Sequence, residues 1–481
     1  MAHLDHWPLY INGRFIDETE APRMVVYNPA HGTPIADVPT VTDALLEEAI
    51  QGAFDAFAGW AARPARDRAG LLWRAARLMR ERQEELARLL TREQGKPLAE
   101  SRGEIAISAE YLEWNAEEGR RVYGDTMPAA KPRQRLFAIR QPVGVAVAIT
   151  PWNFPSSMIT RKIGPALAAG CPVIVKPASA TPLSAIALMQ IFAEVGFPAG
   201  VVNLVLGPAG PVGERLLADR RIRKISFTGS TEVGKQLMVQ AAATMKRLSL
   251  ELGGHAPFLV FDDADLELAA DGVIASKFRN AGQTCICANR LYVQRGVAEP
   301  FSRMLAERVR ALKVGDGLEA GVDVGPLIDE RAVDKVARHV DDAVQRGGRL
   351  LAGGERLHPP GLSAQFYAPT LVLDPPHNVV AAEEETFGPL MPMWTFDTEE
   401  EAIRQANQTP YGLAAYFFAR DVGRVVRVAE GLEYGIVGAN EPVPTLVQAP
   451  FGGVKESGMG REGGHQGLDE YLYWKYVALA F

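Results

Sequence analysis

The residues best suited to covalent chemistry lie in one run: Lys277-Phe278-Arg279-Asn280-Ala281-Gly282-Gln283-Thr284-Cys285-Ile286-Cys287-Ala288-Asn289. Cys285 sits among small and polar neighbours, between an expected helix over residues 266–278 and an expected strand over 290–293. A thiol presented this way can attack a carbonyl, and its own backbone N–H can face the oxyanion that forms. A free cysteine is more often buried packing than a nucleophile. The run gains meaning from two others, Glu251-Leu252-Gly253-Gly254 upstream and Glu385-Thr386-Phe387-Gly388-Pro389 downstream.

These residues must be held by something, and the chain supplies a regular frame. Short apolar runs at 145–150, 173–176, 201–206, 224–227 and 248–250 read as strands. Helical patterns at 157–169, 182–195, 211–218 and 232–243 separate them. That alternation predicts an α/β fold with a parallel, doubly wound sheet, which binds ligands beyond the carboxyl ends of its strands. A second α/β pattern begins after Glu251, with strands at 258–261, 371–373 and 414–419 and a helix at 333–346 stopped by Gly347-Gly348. Before the first sheet come a hairpin at 9–15 turning on Asn12-Gly13 and amphipathic helices at 45–60 (capped by Thr42), 66–92 and 98–118. Residues 124–141, rich in Pro, Lys and Arg, read as an excursion with a strand at 136–140. The tail, 470–481, alternates apolar and aromatic residues and can add an edge strand to a neighbouring subunit.

The 481 residues suggest about three domain-sized units. With 47% hydrophobic and 23% charged residues, the composition is that of an ordinary globular protein. A net charge of −7 without a basic tract argues against nucleic acid as a partner. No apolar run approaches the length of a membrane span. Residues 1–8 lack a basic segment followed by an apolar one, so no secretory leader is expected. Three cysteines, Cys171, Cys285 and Cys287, make no disulfide framework and fit a reducing, cytoplasmic setting.

Taken together, the segments around Glu251, Cys285 and Glu385 resemble the signatures of the aldehyde dehydrogenase superfamily. The run 282–290 is most similar to its succinate-semialdehyde dehydrogenase branch. The resemblance covers nearly the whole chain, ending with Pro450-Phe451-Gly452-Gly453-Val454-Lys455-Glu456-Ser457-Gly458. It implies a Rossmann-type cofactor domain (1–123 and 142–251), a catalytic domain (252–454) and a small β oligomerisation arm (124–141 and 468–481). It also implies a homodimer or homotetramer.

The resemblance assigns roles residue by residue. Cys285 is the nucleophile, Glu251 the base that activates water, and Asn153, in Pro151-Trp152-Asn153-Phe154, an oxyanion donor. Glu385 holds the nicotinamide ribose, with Phe387 packing nearby. No metal is called for. The cofactor loop is Phe227-Thr228-Gly229-Ser230-Thr231-Glu232-Val233-Gly234, where free N–H groups at the helix start can hold a pyrophosphate. Thr150, Pro151, Trp152, Lys176, Ala178, Gly213 and Leu252 are expected around the same ligand. Ser179 stands where NAD-preferring relatives commonly carry a glutamate that repels a 2′-phosphate. Its absence predicts that NADP is accepted and preferred, with NAD still an option. Arg161 and Arg279 correspond to arginines that grip a distal carboxylate in the branch, and Thr445 stands where a serine is usual. The run Asn440-Glu441-Pro442-Val443-Pro444 departs from the pattern and leaves chain length open. Cys287 corresponds to a cysteine that can form a reversible disulfide with the nucleophile.

Each residue also has a plainer reading. Asn153 can be a turn residue, Glu251 a helix cap, Glu385 part of a solvated loop, and the two arginines members of salt bridges. The expected function is NAD(P)-dependent oxidation of an ω-carboxylated aldehyde, succinate semialdehyde first. Glutarate and 2-oxoglutarate semialdehydes, or a broad aldehyde range, are the alternatives within this chemistry. A catalytically retired structural or binding protein is the alternative outside it.

Overall fold

The computed structural model describes residues 7–481, so residues 1–6 of the segment read for a leader lie outside the described residues. The hairpin forms as expected. Leu9–Ile11 pairs antiparallel with Arg14–Ile16, and Asn12 and Gly13 both have positive φ, 49° and 78°, as a tight two-residue turn requires. Thr42 caps the helix Asp43–Ala62 by accepting the Leu45 N–H. The long helix expected over 66–92 is two, Ala65–Glu81 and Gln83–Gln94, broken at Arg82, whose φ and ψ of −107° and 19° leave the helical region. Apolar periodicity continues across that break, because both helices bury one stripe on the same core, and this hides it from the sequence.

Five parallel strands form the heart of the first sheet, in the spatial order Val202–Leu204, Val173–Lys176, Val145–Ile149, Ile222–Thr228, Arg247–Glu251. Their near-continuous burial is what a parallel sheet covered by helices on both faces imposes. The strand order reverses between Val145–Ile149 and Ile222–Thr228, so a crevice opens beyond their carboxyl ends. The far edge is closed by Gly458–Met459, which runs antiparallel to Arg247–Glu251. A late piece of chain thus returns to the first sheet.

The second sheet has seven strands ordered Arg349–Ala352, Thr370–Leu373, Leu390–Phe396, Ala288–Gln294, Ala256–Val260, Ala414–Phe418, Ile436–Ala439. All pairs but the first are parallel. Two apolar cores accompany the sheets, one built mainly from residues up to Leu252 and one from Ala256 to Phe451.

The excursion forms Asp125–Met127 and Gln134–Pro142. The tail strand, Leu472–Ala480, forms one edge of this sheet. It pairs with Gln134–Pro142 of the same chain in an unbroken antiparallel register, from Leu472 opposite Pro142 to Ala480 opposite Gln134. Sequence alternation marks an edge strand but not which edge it joins. Among the described residues no helix is long and apolar enough to cross a membrane.

Candidate active site

The strand Val145–Ile149 ends at Thr150, and Ile222–Thr228 runs into Gly229-Ser230. At this crossover lies a cavity of about 300 Å³ whose walls include Trp152, Gly229, Ser230, Leu252, Glu385 and Phe387. Pro151, Asn153 and Cys285 also line it. Ser230 caps the helix Thr231–Ala242, its Oγ accepting the Val233 N–H. Phe227 fixes the turn from behind, since a Cβ on Gly229 would lie 2.4 Å from its ring. A side chain on Gly253 would fill the cleft, 3.1 Å from Glu385 Oε2. The Trp152 and Phe387 rings meet edge to face at 5.6 Å.

The Glu385 carboxylate accepts the Gly254 N–H at Oε1, 3.1 Å away, and its backbone carbonyl accepts Lys335 Nζ at 2.5 Å. Burial pushes its carboxyl up to about 7. Lys176 is buried at the end of its strand, and among the described residues its ammonium finds only its neighbour's carbonyl, Pro177 O, at 3.4 Å. Burial lowers its pKa. A nearly partnerless buried cation at a strand's carboxyl end fits a ribose or phosphate. Ser179 lines a separate cavity with Thr40, Gly207, Pro208, Pro211 and Val212. Ala178 lies between Lys176 and Ser179, and Gly213 follows Val212 on the helix Ala209–Ala218. The sparsely bonded Lys176, the Gly253 cleft and the two cavities flanking the strand ends fit a dinucleotide.

A third cavity, about 290 Å³, also has Cys285 in its wall. Arg161, Arg279, Thr445, Phe154, Tyr111 and Phe451 are among its walls. The sequence-predicted nucleophile, both arginines and Thr445 therefore share one space. Cys285 lines this cavity and the one beside Trp152, as does Met158.

Local geometry explains that position. Asn280, Ala281 and Gly282 have φ of 50°, 54° and 76°, three left-handed residues in succession. This turn swings the chain off the helix Leu266–Lys277 and delivers Cys285 to the walls of both cavities. Asn280 is anchored on several sides: its N–H donates to Glu100 Oε2 at 2.9 Å, its Nδ2 to Asn153 O at 3.0 Å, and its Oδ1 accepts from Gln94 Nε2 at 2.9 Å. Asn153 Nδ2 donates to Gln283 O at 2.9 Å, which leaves its second N–H free. The Cys285 N–H has no acceptor among the described residues. Both donors are therefore available to an oxyanion. Burial pushes the Cys285 thiol up to about 12, against the pull of Arg161.

Glu251 closes its strand, 1% exposed, with neither carboxyl oxygen hydrogen-bonded. Burial first, and then the Glu462 carboxylate, raise its pKa well above the usual range. Its space is kept by a glycine, since a Cβ on Gly452 would come within 2.8 Å of Oε1.

The two arginines differ. Arg161 is buried with its Nε 2.6 Å from Glu462 Oε2, so it does sit in a salt bridge. Arg279 forms no ion pair among the described residues, and its guanidinium lies 5.4 Å from the Phe154 ring. Cys287 lines neither cavity. Its sulfur is fully buried and accepts from Lys277 Nζ at 3.2 Å, and all three cysteines are free thiols.

Sequence reasoning missed Glu462, which also pairs with the buried Lys162. Its signal was an acid isolated in the glycine-rich run Gly458-Met459-Gly460-Arg461-Glu462-Gly463-Gly464. It also missed Lys96, whose ammonium is fully buried, 2.7 Å from Glu104 and 2.6 Å from Asn153 O. A lysine in an otherwise ordinary helix junction carries no such mark.

The sequence profile of the aldehyde dehydrogenase family matches residues 15–477. The chain is 53% identical over 469 residues to the NADP(+)-dependent succinate-semialdehyde dehydrogenase of Escherichia coli, covering 98% of this chain and 97% of that one. It is 52% identical over 479 residues to the glutarate-semialdehyde dehydrogenase of Pseudomonas putida, covering 100% and 99%. A crystal structure described as an E. coli NADP-dependent enzyme superposes with a TM-score of 0.97 at 52% identity, covering 100% of this chain and 99% of that one.

Proposed function

Because the chain belongs to the aldehyde dehydrogenase family, we propose that it oxidises an ω-carboxylated aldehyde to the dicarboxylate, succinate semialdehyde first, with NADP preferred and NAD an option. The observation that carries this reading is Cys285 in the walls of two cavities, one fitting a dinucleotide and one walled by arginines.

In this reading the Cys285 thiolate attacks the aldehyde carbon, and the Cys285 N–H and the free Asn153 N–H stabilise the oxyanion. Losing one such donor costs about 10²–10³ in rate. The nicotinamide, when bound, supplies the hydride acceptor. Glu251 then takes a proton from the water that hydrolyses the Cys285 thioester. Its raised pKa makes it a stronger base than an exposed carboxylate. Glu385 and Lys176 hold ribose hydroxyls, and Ser179 leaves the 2′ position free of a repelling carboxylate. Arg279 receives the distal carboxylate, with Thr445 on the same walls, while Arg161, paired to Glu462, shapes the cavity they share.

We read residues 1–123 and 142–251 as the cofactor-binding unit, 252–454 as the catalytic unit, and 124–141 with 468–481 as an arm that joins subunits of a homodimer or homotetramer. A cytoplasmic location accords with the free cysteines. Glutarate semialdehyde is the second reading, favoured by the departure at Pro442 and Pro444 near the cavity mouth and by the P. putida relative.

Initial rates with succinate semialdehyde and butanal, each with NADP and NAD, test the proposal. The expected preference for the carboxylated aldehyde is about 10² in kcat/KM, roughly 2.7 kcal/mol. Equal rates on both aldehydes would overturn the substrate assignment. A large NAD preference would overturn the cofactor assignment.

A further inference from the structure

The walls of the arginine-lined cavity carry four charged side chains, Glu100, Glu104, Arg161 and Arg279. Two of them already have partners outside the cavity. Arg161 is paired to Glu462. Glu104 takes Lys96 Nζ at 2.7 Å and also accepts the Ser156 and Ser157 N–H groups. Arg279 and Glu100 are left, and neither forms an ion pair among the described residues. Glu100 Oε2 accepts the N–H of Asn280, the residue next to Arg279, so its carboxyl and the guanidinium belong to the same end of the cavity.

We propose that Glu100 is a specificity-determining residue: it offsets the charge of Arg279, so that the cavity takes a singly charged distal carboxylate and disfavours a doubly charged distal group. The inference rests on the ω-carboxylated aldehyde reading above. A lone guanidinium in a half-enclosed site would bind a phosphonate or phosphate dianion more strongly than a carboxylate. An acid on the same wall reverses that order, because a second negative charge on the ligand meets it as a like charge. Glu100 makes this offset adjustable. Burial raises its carboxyl to about 7, Lys96 and Arg279 pull it down, and Glu104 pushes it up. Those three, with Arg161 on the same walls, are the charged groups facing it. Ionisation as pH rises through about 7 should therefore weaken binding of the distal anion.

Glu100→Gln isolates the charge, since a glutamine Oε1 can still accept the Asn280 N–H. Kinetics of wild type and variant with succinate semialdehyde, 3-phosphonopropanal and butanal, across pH 6 to 9, form the test. In Glu100→Gln, KM is expected to fall about three- to tenfold for succinate semialdehyde and further for the phosphonate. Butanal reports any change made through the Asn280 turn, so the fall is read as the KM of each anionic aldehyde relative to butanal. In the wild type, the KM ratio of succinate semialdehyde to butanal should rise with pH through about 7, and the variant should flatten it. The wild-type profile needs no variant to fold. A shift common to all three aldehydes would mean that Glu100 acts only by holding the Asn280 turn, and no shift would equally overturn the proposal. A wild type that prefers butanal or is indifferent would instead sink the substrate reading, and this inference with it.

Discussion

The thiol of Cys285 is held in an environment that favours its neutral form. Burial outweighs the pull of Arg161 and Arg279, and the nearby Glu385 and Glu251 carboxylates add to the rise. In the cofactor-free protein the neutral thiol is therefore favoured over the thiolate. Alkylation of the cofactor-free enzyme by iodoacetamide, followed by mass spectrometry at Cys285, should accelerate about tenfold per pH unit between pH 7 and 10, without a plateau. A plateau near neutral pH would mean that Arg161 dominates instead. At this scale the sequence was informative where a residue type is itself a signal. Cys285, Glu251 and Asn153 could be named from their motifs. Glu462 could not, because its role depends on Arg161 and Lys162, roughly 300 positions away in the chain. The split between Arg161 and Arg279 was hidden for the same reason: an arginine's letter does not say whether a carboxylate has already claimed it.

The turn Asn280-Ala281-Gly282 does the positioning. Three left-handed residues in succession are costly, about 1–3 kcal/mol each for the two that are not glycine. The hydrogen bonds that Asn280 donates to Glu100 and Asn153 and accepts from Gln94 offset part of that cost. Gly282 meets the Gly388 carbonyl so closely that a Cβ would lie 2.2 Å from its oxygen. Gly282→Ala should therefore lower stability by about 2–4 kcal/mol in urea unfolding and reduce kcat by more than tenfold, because the strand of chain that carries Cys285 must shift. Unchanged kcat in a destabilised variant would separate the turn from catalysis. The parallel strands were legible as short apolar runs, and Val173–Lys176 matches its expected bounds. The left-handed turn was not: apart from the glycine its residues are an asparagine and an alanine, and only the packed partners impose their conformation. The break at Arg82 was missed because helical periodicity does not register a single kinked residue.

At the scale of the whole molecule, the three-stranded arm is the part that the rest of the chain leaves uncovered. Leu472–Ala480 lies at its edge, paired on one side only. Its side chains are exposed on both faces, Trp474 and Tyr476 on one, Tyr473 and Leu479 on the other. Arg140 covers Trp474 in part, 4.6 Å from its ring, yet Trp474 remains 52% exposed. Three strands standing clear of a core hold poorly in water unless an apolar face is buried, and a free strand edge invites another strand. A second copy of the chain would supply both, and the arm is therefore expected to join subunits. Trp474→Glu with Tyr476→Glu places two charges on that face without touching the register to Gln134–Pro142. Sedimentation velocity should then report a smaller assembly than the wild type, with far-UV circular dichroism unchanged. The cavities contain no arm residue of their own chain, so activity measured on the same variant tells whether the site depends on assembly. An unaltered sedimentation coefficient would mean that the arm's apolar faces are not the subunit contact.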